Sequence, residues 1–372
     1  MAGHTGPTTR PHGQAPPKPA GYAHPMAGRF HPKPTRTTIR GGHIPVPTPQ
    51  PPAQGHAGPE GHAQAARQPQ RQAQTQPHPT DLDLALTLGP LRRGPSDPTF
   101  RTTPDGSIWR ATRTPDGPGT LRVRTAAGGG IEAEAWGPGA EWLRETLPAL
   151  LGAEDDPTAF VPRHKLLLAT HRRRPGLRLT RTGLVLESLI PSILEQKVTT
   201  HEAYGAWRVL VRKYGEPAPG PAPEGMYVMP DARTWTQIPS WEWHRANVDG
   251  KRSATIVRAA RVAARLEEAA GMDPVAARAR LELIPGIGPW TSAETIQRSN
   301  GAADEVTTGD LHLPGIVGWA LAGDRTADDA TMLALLEPYA GQRHRAARLI
   351  LLSGRVPPRR APRMTPGNIT AL

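Results

Sequence analysis

The sequence predicts a mainly α protein: a helical domain preceded by a small α+β unit and, ahead of both, a disordered tail. Three observations carry that expectation. From about Leu166 onward, apolar residues recur at helical spacing almost to the end of the chain. Between Asp81 and about Val161 they recur at period two, between Gly/Pro turn signals. Residues 1–80 show neither period and are rich in Pro, Gly, Gln, Thr and His. These shifts set the expected boundaries: 1–80 for the tail, 81–165 for the α+β domain, 166–355 for the helical domain and 356–372 for a basic C-terminal tail.

The first eighty residues lack the apolar surface needed to offset the entropy of ordering them. They hold eight Lys/Arg against one acid, Glu60, so +7 of the formal net charge of +12 lies there. Eight of the fourteen histidines also lie there, scattered singly and not at ligand spacing, so compositional bias accounts for them better than a metal site does. The prolines argue against the amphipathic helix of a transit peptide. A loose basic arm adding nonspecific affinity is one reading, and a functionless tail is the other. A pI near 10.7 makes a polyanion the expected partner, nucleic acid first and an acidic membrane surface second. No apolar run approaches the length of a membrane span, so a soluble protein is expected. The absence of cysteine excludes a disulfide framework, a thiolate zinc site and a cysteine-held iron–sulfur cluster. It also fits a reducing cytoplasm.

In the α+β region Leu82, Leu84, Leu86 and Leu88 alternate, as do Leu121 and Val123, and Ile131, Ala133 and Ala135. Pro104-Asp105-Gly106, Pro115-Asp116-Gly117 and Gly128-Gly129-Gly130 separate these runs as turns. Trp142, Leu143, Leu147, Leu150 and Leu151 then predict one helix on an antiparallel sheet. Nothing in this unit looks catalytic, and scaffold is its expected role.

Helices are expected near 184–196, 199–214, 251–269, 274–283, 290–300, 326–337 and 342–353. One stop-and-start lies among them. Asp273 is an N-cap and Pro274 a first helical residue. That helix ends at Ile284-Pro285-Gly286-Ile287-Gly288-Pro289, and a second opens at Trp290-Thr291. Pro285 stops the first helix, and the glycines permit positive φ and close backbone approach. N–H groups exposed at such a turn, at a helix N-terminus, form a ready phosphate site.

Pro-Gly-x-Gly between two helices is the helix–hairpin–helix element, and the residues beyond it make the resemblance specific. Twenty positions past Trp290 stands Thr308-Gly309-Asp310-Leu311-His312-Leu313. A hairpin followed at about this spacing by an aspartate resembles the helix–hairpin–helix DNA glycosylase superfamily. Arg174-Pro175-Gly176-Leu177-Arg178-Leu179 and Leu189-Ile190-Pro191-Ser192-Ile193-Leu194-Glu195-Gln196 resemble the start of the catalytic domain in the bacterial 3-methyladenine DNA glycosylase II family. The resemblance covers roughly residues 81–355 and is strongest at 283–315.

The resemblance implies a monofunctional DNA glycosylase that removes damaged bases, expected to be alkylated purines, from double-stranded DNA as a monomer, with no cofactor and no metal. Superfamily members that also cut the strand carry a Schiff-base lysine just after the hairpin, where this chain has Trp290. The implied catalytic residue is Asp310, whose carboxylate would stabilise the positive charge that builds on the deoxyribose as the base leaves. Asp310 is also read as the N-cap of a helix beginning at Leu311. Trp290 is the implied pocket aromatic, able to stack on a cationic base with roughly 0.5–2 kcal/mol of cation–π attraction.

Glu294 and Gln342 complete the implied base pocket, at positions where some relatives carry aromatics. Glu294 either accepts hydrogen bonds from a base or faces solvent. The implied DNA contacts are Gly286, Ile287, Gly288, Thr291, Gln196, Lys197 and Arg343. Lys197 stands where the family commonly places an apolar wedge to fill the gap left by an extruded base. It fills that gap with its stem, contacts a phosphate, or is a solvated surface residue. Arg343, Arg345, Arg348, Arg355, Arg359, Arg360 and Arg363 form either a phosphate-contacting face or a solvated one. Trp207, Trp235, Trp241, Trp243 and Trp319 are expected in the core or at interfaces, with Trp243 and Tyr204 within reach of the pocket. Two rival functions remain: a catalytically silent helix–hairpin–helix DNA-binding protein, and a glycosylase for oxidised or deaminated bases.

Overall fold

The computed structural model describes residues 82–358, the backbone of Ala73–Gln76, and Gly367. All belong to the unit Ala65–Leu372. Apart from Ala73–Gln76, the expected tail 1–80 lies outside the described residues, as does most of 359–372.

Ala73–Gln76 is a strand, β1, that the sequence pattern does not predict. The leucine run after it is a correction: the Leu82–Leu88 alternation predicts extended chain, yet Leu84–Leu88 form a helix, α1. Asp83 caps it by accepting the Leu86 N–H at 2.9 Å. Leu84 and Leu88 stand four apart and are both buried, so these leucines also satisfy a helical period.

Strands β2 (Phe100–Thr102), β3 (Ile108–Thr114), β4 (Gly117–Thr125) and β5 (Ile131–Trp136) complete a five-stranded antiparallel sheet in the order β1-β5-β4-β3-β2. The three expected turns connect β2 to β5. Leu121 pairs with Ala135 and Val123 with Ala133, so the alternating apolar residues meet on one buried face. Helices α2 (Ala140–Glu145) and α3 (Leu147–Leu150) cover that face, the expected single helix being interrupted at Thr146.

The helical part comprises α4 (Lys165–Arg173), α5 (Val185–Leu194) and α6 (Thr200–Tyr214), followed by a short hairpin of β6 (Glu216–Pro217) and β7 (Tyr227–Val228). That hairpin brings Met226 and Val228 onto the other face of the sheet, over the stacked rings of Trp109 and Trp136, 5.5 Å apart. Then come α7 (Ala232–Gln237), α8 (Ser240–Arg245), α9 (Gly250–Arg261), α10 (Ala263–Glu267), α11 (Pro274–Glu282) and α12 (Pro289–Ser299). The expected 251–269 helix breaks at Val262. Last are α13 (Leu313–Ala322), α14 (Asp329–Leu336) and α15 (Arg343–Leu352). Among the described residues no helix is long and apolar enough to cross a membrane.

Helix α5 is buried on nearly every side, as expected of a helix apolar all round. It centres one core with α6, α9, α11 and α12, in which Trp207, Trp235 and Trp243 stack. A second core joins Leu167 of α4 to apolar residues of α13, α14 and α15. Residues 301–312 cross between these cores, Ala302 packing in the first and Val306 in the second. This crossing places the candidate site.

Candidate active site

The hairpin between α11 and α12 is fixed mainly through its backbone. Asp273 caps α11 by accepting from Val275 and Ala276, each at 3.1 Å, ahead of Pro274. Gly286 has φ +102, and a Cβ there would lie 2.2 Å from Thr255 Oγ1 on α9, so only glycine fits. Ile287 is buried beneath the turn. Arg258 donates to the Pro285 carbonyl at 2.8 Å, and Gln196 donates to the Gly286 carbonyl at 3.0 Å and to Thr291 Oγ1 at 2.8 Å. Gly288 is the N-cap of α12 and supplies no side-chain oxygen. The first N–H groups of that helix are thus available to an anion.

Gln196 ties the turn between α5 and α6 to this hairpin. The next residue, Lys197, is exposed and left-handed, with φ +55. A non-glycine residue in that region is uncommon and strained, so neighbouring contacts must hold it. The capping box of α6, between Thr199 and Glu202, follows immediately.

On the far side of α12, residues 301–312 run back along the helix. Trp290, Glu294 and Gln297 are spaced four and three apart, on one face of α12. Each meets the loop in turn. Gln297 donates to the Glu305 carbonyl and to Thr307 Oγ1, both at 3.0 Å. Glu294 accepts from Thr307 Oγ1 at 3.0 Å and is ion-paired with Arg298 at 2.7 Å. Trp290 donates its indole N–H to Asp310 Oδ2 at 3.0 Å. The other carboxylate oxygen of Asp310 accepts from the backbone N–H groups of His312 at 2.7 Å and Leu313 at 2.8 Å. Helix α13 therefore starts at Leu313, two residues later than expected, with Asp310 bonding its first turn.

Asp310 is half-buried. Burial works to raise its carboxyl, but the Trp290 indole and the N–H groups of Leu313 and His312 outweigh it, and the His312 side chain adds to them. The pKa lies below the ordinary aspartate value, and the group is a carboxylate at neutral pH. A partly exposed anion whose two oxygens are aimed by three donors is suited to stabilise developing positive charge, or to orient water.

Trp290 and Asp310 are therefore in direct contact, with Glu294 one helical turn away, and Gln196, Gly286 and Thr291 form a second group around the hairpin. Gln342 and Arg343 have partners elsewhere. Gln342 donates to the Asp156 carbonyl at 3.3 Å and accepts from Arg345. Arg343 pairs with Asp304, its Nε at 2.8 Å. Two of the arginines read as a candidate phosphate face turn inward. Arg345 is 1% exposed and paired with Asp155, and Arg348 donates to the Leu86 carbonyl at 3.0 Å. Arg359, Arg360 and Arg363 lie outside the described residues. Trp243 is buried in the first core and donates to the Ile238 carbonyl, while Trp241 is 62% exposed. Sequence reasoning missed Thr255, Arg258, Gln297 and Thr307. Of these only Gln297 left a signal, its place seven residues from Trp290 on the same helical face.

No protein-family model matches the sequence, and no characterised protein does. Solved structures do match in three dimensions. The 3-methyladenine DNA glycosylase of Archaeoglobus fulgidus superposes with a TM-score of 0.62 at 16% identity, over 76% of this chain and 98% of that one. The 8-oxoguanine glycosylase/lyase of Clostridium acetobutylicum, bound to double-stranded DNA with cytosine opposite 8-oxoguanine, gives 0.60 at 12% identity, over 74% and 92%. MBOgg1 in complex with a low-affinity DNA ligand gives 0.61 at 16% identity, over 76% and 98%. The chain has the fold of the helix–hairpin–helix DNA glycosylases.

Proposed function

We propose that this protein is a monofunctional DNA glycosylase that hydrolyses the N-glycosidic bond of damaged bases in duplex DNA. The observation that carries the reading is the Trp290–Asp310 hydrogen bond, 3.0 Å long, on a loop that follows a Pro-Gly-Ile-Gly hairpin. It joins a carboxylate to an aromatic residue at the position where a strand-cutting relative would carry lysine. In the proposed reaction the bond between C1′ and the base nitrogen breaks, and the base leaves with the bonding electron pair. Positive charge builds on the sugar and is stabilised by the Asp310 carboxylate. Water adds to C1′, and its proton passes to Asp310 or to solvent. The hairpin and the N-terminus of α12 hold a backbone phosphate. Lys197, on its exposed turn, fills the gap left by the extruded base or meets a phosphate.

Alkylated purines are the proposed substrates, because a base that already carries positive charge leaves without a strong general acid and stacks well on Trp290. A second reading, oxidised or deaminated bases, is favoured by Glu294, a carboxylate one helical turn from Trp290 where the resemblance places an aromatic; Gln342, bonded to Asp156 and Arg345, lends it no support. In this scheme residues 81–165 are scaffold and 166–355 the catalytic domain. The test is purified protein against a panel of duplexes, each with one defined lesion, scored for alkali-sensitive sites. One class of lesion should be excised well above the rest. A panel with no excised lesion would leave only the catalytically silent DNA-binding reading.

A further inference from the structure

Residues 308–310 have a second anchor besides α12, on α14. Asp329, the first residue of α14, accepts the Gly309 N–H through Oδ2 at 2.8 Å. Its other oxygen, Oδ1, is buried without a hydrogen-bond partner among the described residues. Gly309 immediately precedes Asp310, has φ +77, and has open space where a Cβ would lie. Packing therefore does not hold this turn. Beside the bonds of the Asp310 carboxylate, its shape rests on glycine's freedom and on that N–H···O bond. A hydrogen bond to an ionised acceptor is about twice as strong as a neutral one. Leaving the second oxygen buried and unpaired costs free energy, which argues that the residue serves more than the stability of α14.

We infer that Asp329 is a positioning residue for Asp310. It fixes the 308–309 peptide, one residue ahead of Asp310, while Trp290 fixes the carboxylate, so the segment that carries the anion is tied to α12 of the first core and to α14 of the second. Asp329 does not reach the reacting atoms. It acts through the backbone, and the inference rests on Asp310 being the catalytic carboxylate of the proposed glycosylase.

The test compares Asp329→Ala and Asp329→Asn in the full chain, using the lesion duplex that the wild type excises fastest. Single-turnover rate at saturating enzyme and duplex affinity are measured, together with amide exchange at Gly309 and the NMR resonance of the Trp290 indole N–H. Misplacement by a fraction of an ångström to an ångström is expected to slow Asp329→Ala by ~10–100-fold with affinity unchanged. Gly309 exchange should quicken and the Trp290 resonance should shift. Asp329→Asn keeps an oxygen acceptor and should restore most of the rate and the protection. In an Asp310→Asn background, Asp329→Ala should add no further loss. A wild-type rate for Asp329→Ala, an Asn variant as slow as the Ala variant, or an additive loss in the double variant would each overturn the inference. If the wild type excises nothing, the glycosylase reading fails, and the exchange and indole signals still decide: unmoved signals in Asp329→Ala overturn the clamp. Should Asp329→Ala not fold, Gly309→Ala strains the same turn and should lose rate likewise, a wild-type rate overturning the inference.

Discussion

Helix α12 lies between two irregular segments that are held by different means. The hairpin before it is fixed through backbone atoms: Gly286 at positive φ against Thr255, with Arg258 and Gln196 donating to consecutive carbonyls. The loop after it is fixed through side chains: Gln297, Glu294 and Trp290 grip it one after another, with Asp329 of α14 as a second anchor. A turn built this way can offer its N–H groups to an anion whatever side chains surround it. A loop held by side chains can aim one carboxylate and set its charge state. On the proposed function, the hairpin is the segment for gripping a phosphate and the loop the segment for chemistry. Substitutions in the two should damage different steps.

The largest effect is expected at Asp310. Asp310→Asn keeps the size and an oxygen able to accept from His312 and Leu313, so the start of α13 survives. The negative charge is lost, and losing preorganised electrostatic stabilisation of this kind costs roughly 2.7–4 kcal/mol, or ~100–1,000-fold in single-turnover rate. Duplex affinity should stay the same or rise. Asp324→Asn, which removes an exposed carboxylate bonded, among the described residues, within its own turn to Thr326, should leave the rate unchanged in the same assay.

A smaller effect, on the other step, is expected at the hairpin. Gly286→Ala forces a Cβ into Thr255 and places a non-glycine residue at φ +102. Strain of this kind costs about 1–3 kcal/mol and should appear as weaker duplex binding and a lower Tm. The rate at saturating enzyme should remain near that of the wild type. If Gly286→Ala lost chemistry while binding normally, the division between the two segments would be wrong.

The smallest effect is expected from Trp290→Phe, which keeps an aromatic wall but removes the indole donor. With burial then less opposed, the Asp310 pKa rises. The folded carboxyl of the wild type lies below its unfolded value. Its contribution to stability is therefore complete at neutral pH and is lost as pH falls through the folded pKa. The acid limb of the rate follows the same group. In Trp290→Phe that limb should move to higher pH, with a loss at neutral pH of about tenfold or less, the share typical of one oriented hydrogen bond. A limb that did not move would mean that the indole bond does not set the ionisation of Asp310.

The same contrast explains how much was legible in the sequence. Backbone constraints are written in Gly and Pro, so Asp273-Pro274 and Pro285-Gly286-Ile287-Gly288 could be read directly, and the family resemblance of the hairpin and the residues after it then pointed to Asp310. Side-chain constraints across a loop have no period. Thr307 and Asp329 carried no mark of their roles, Gln297 only its place on the Trp290 face of α12, and Arg343, Arg345 and Gln342 each have a partner 39 to 190 positions away in the chain. The Leu82–Leu88 run misled because alternate leucines include an i, i+4 pair, and the cap at Asp83 decided for helix. The strand at Ala73–Gln76 consists of Ala, Gln and Thr, which give no apolar alternation to find.

All of this turns on the base being released by a carboxylate and water, with no amine attached to the sugar. The most direct measurement divides one reaction on the preferred lesion duplex into three portions: one left untreated, one heated in alkali, one mixed with borohydride. An intact strand is expected in the first, a break at the lesion in the second, and no protein–DNA adduct in the third. A borohydride-stable adduct that disappears when a single lysine is replaced would contradict hydrolysis by Asp310 and water.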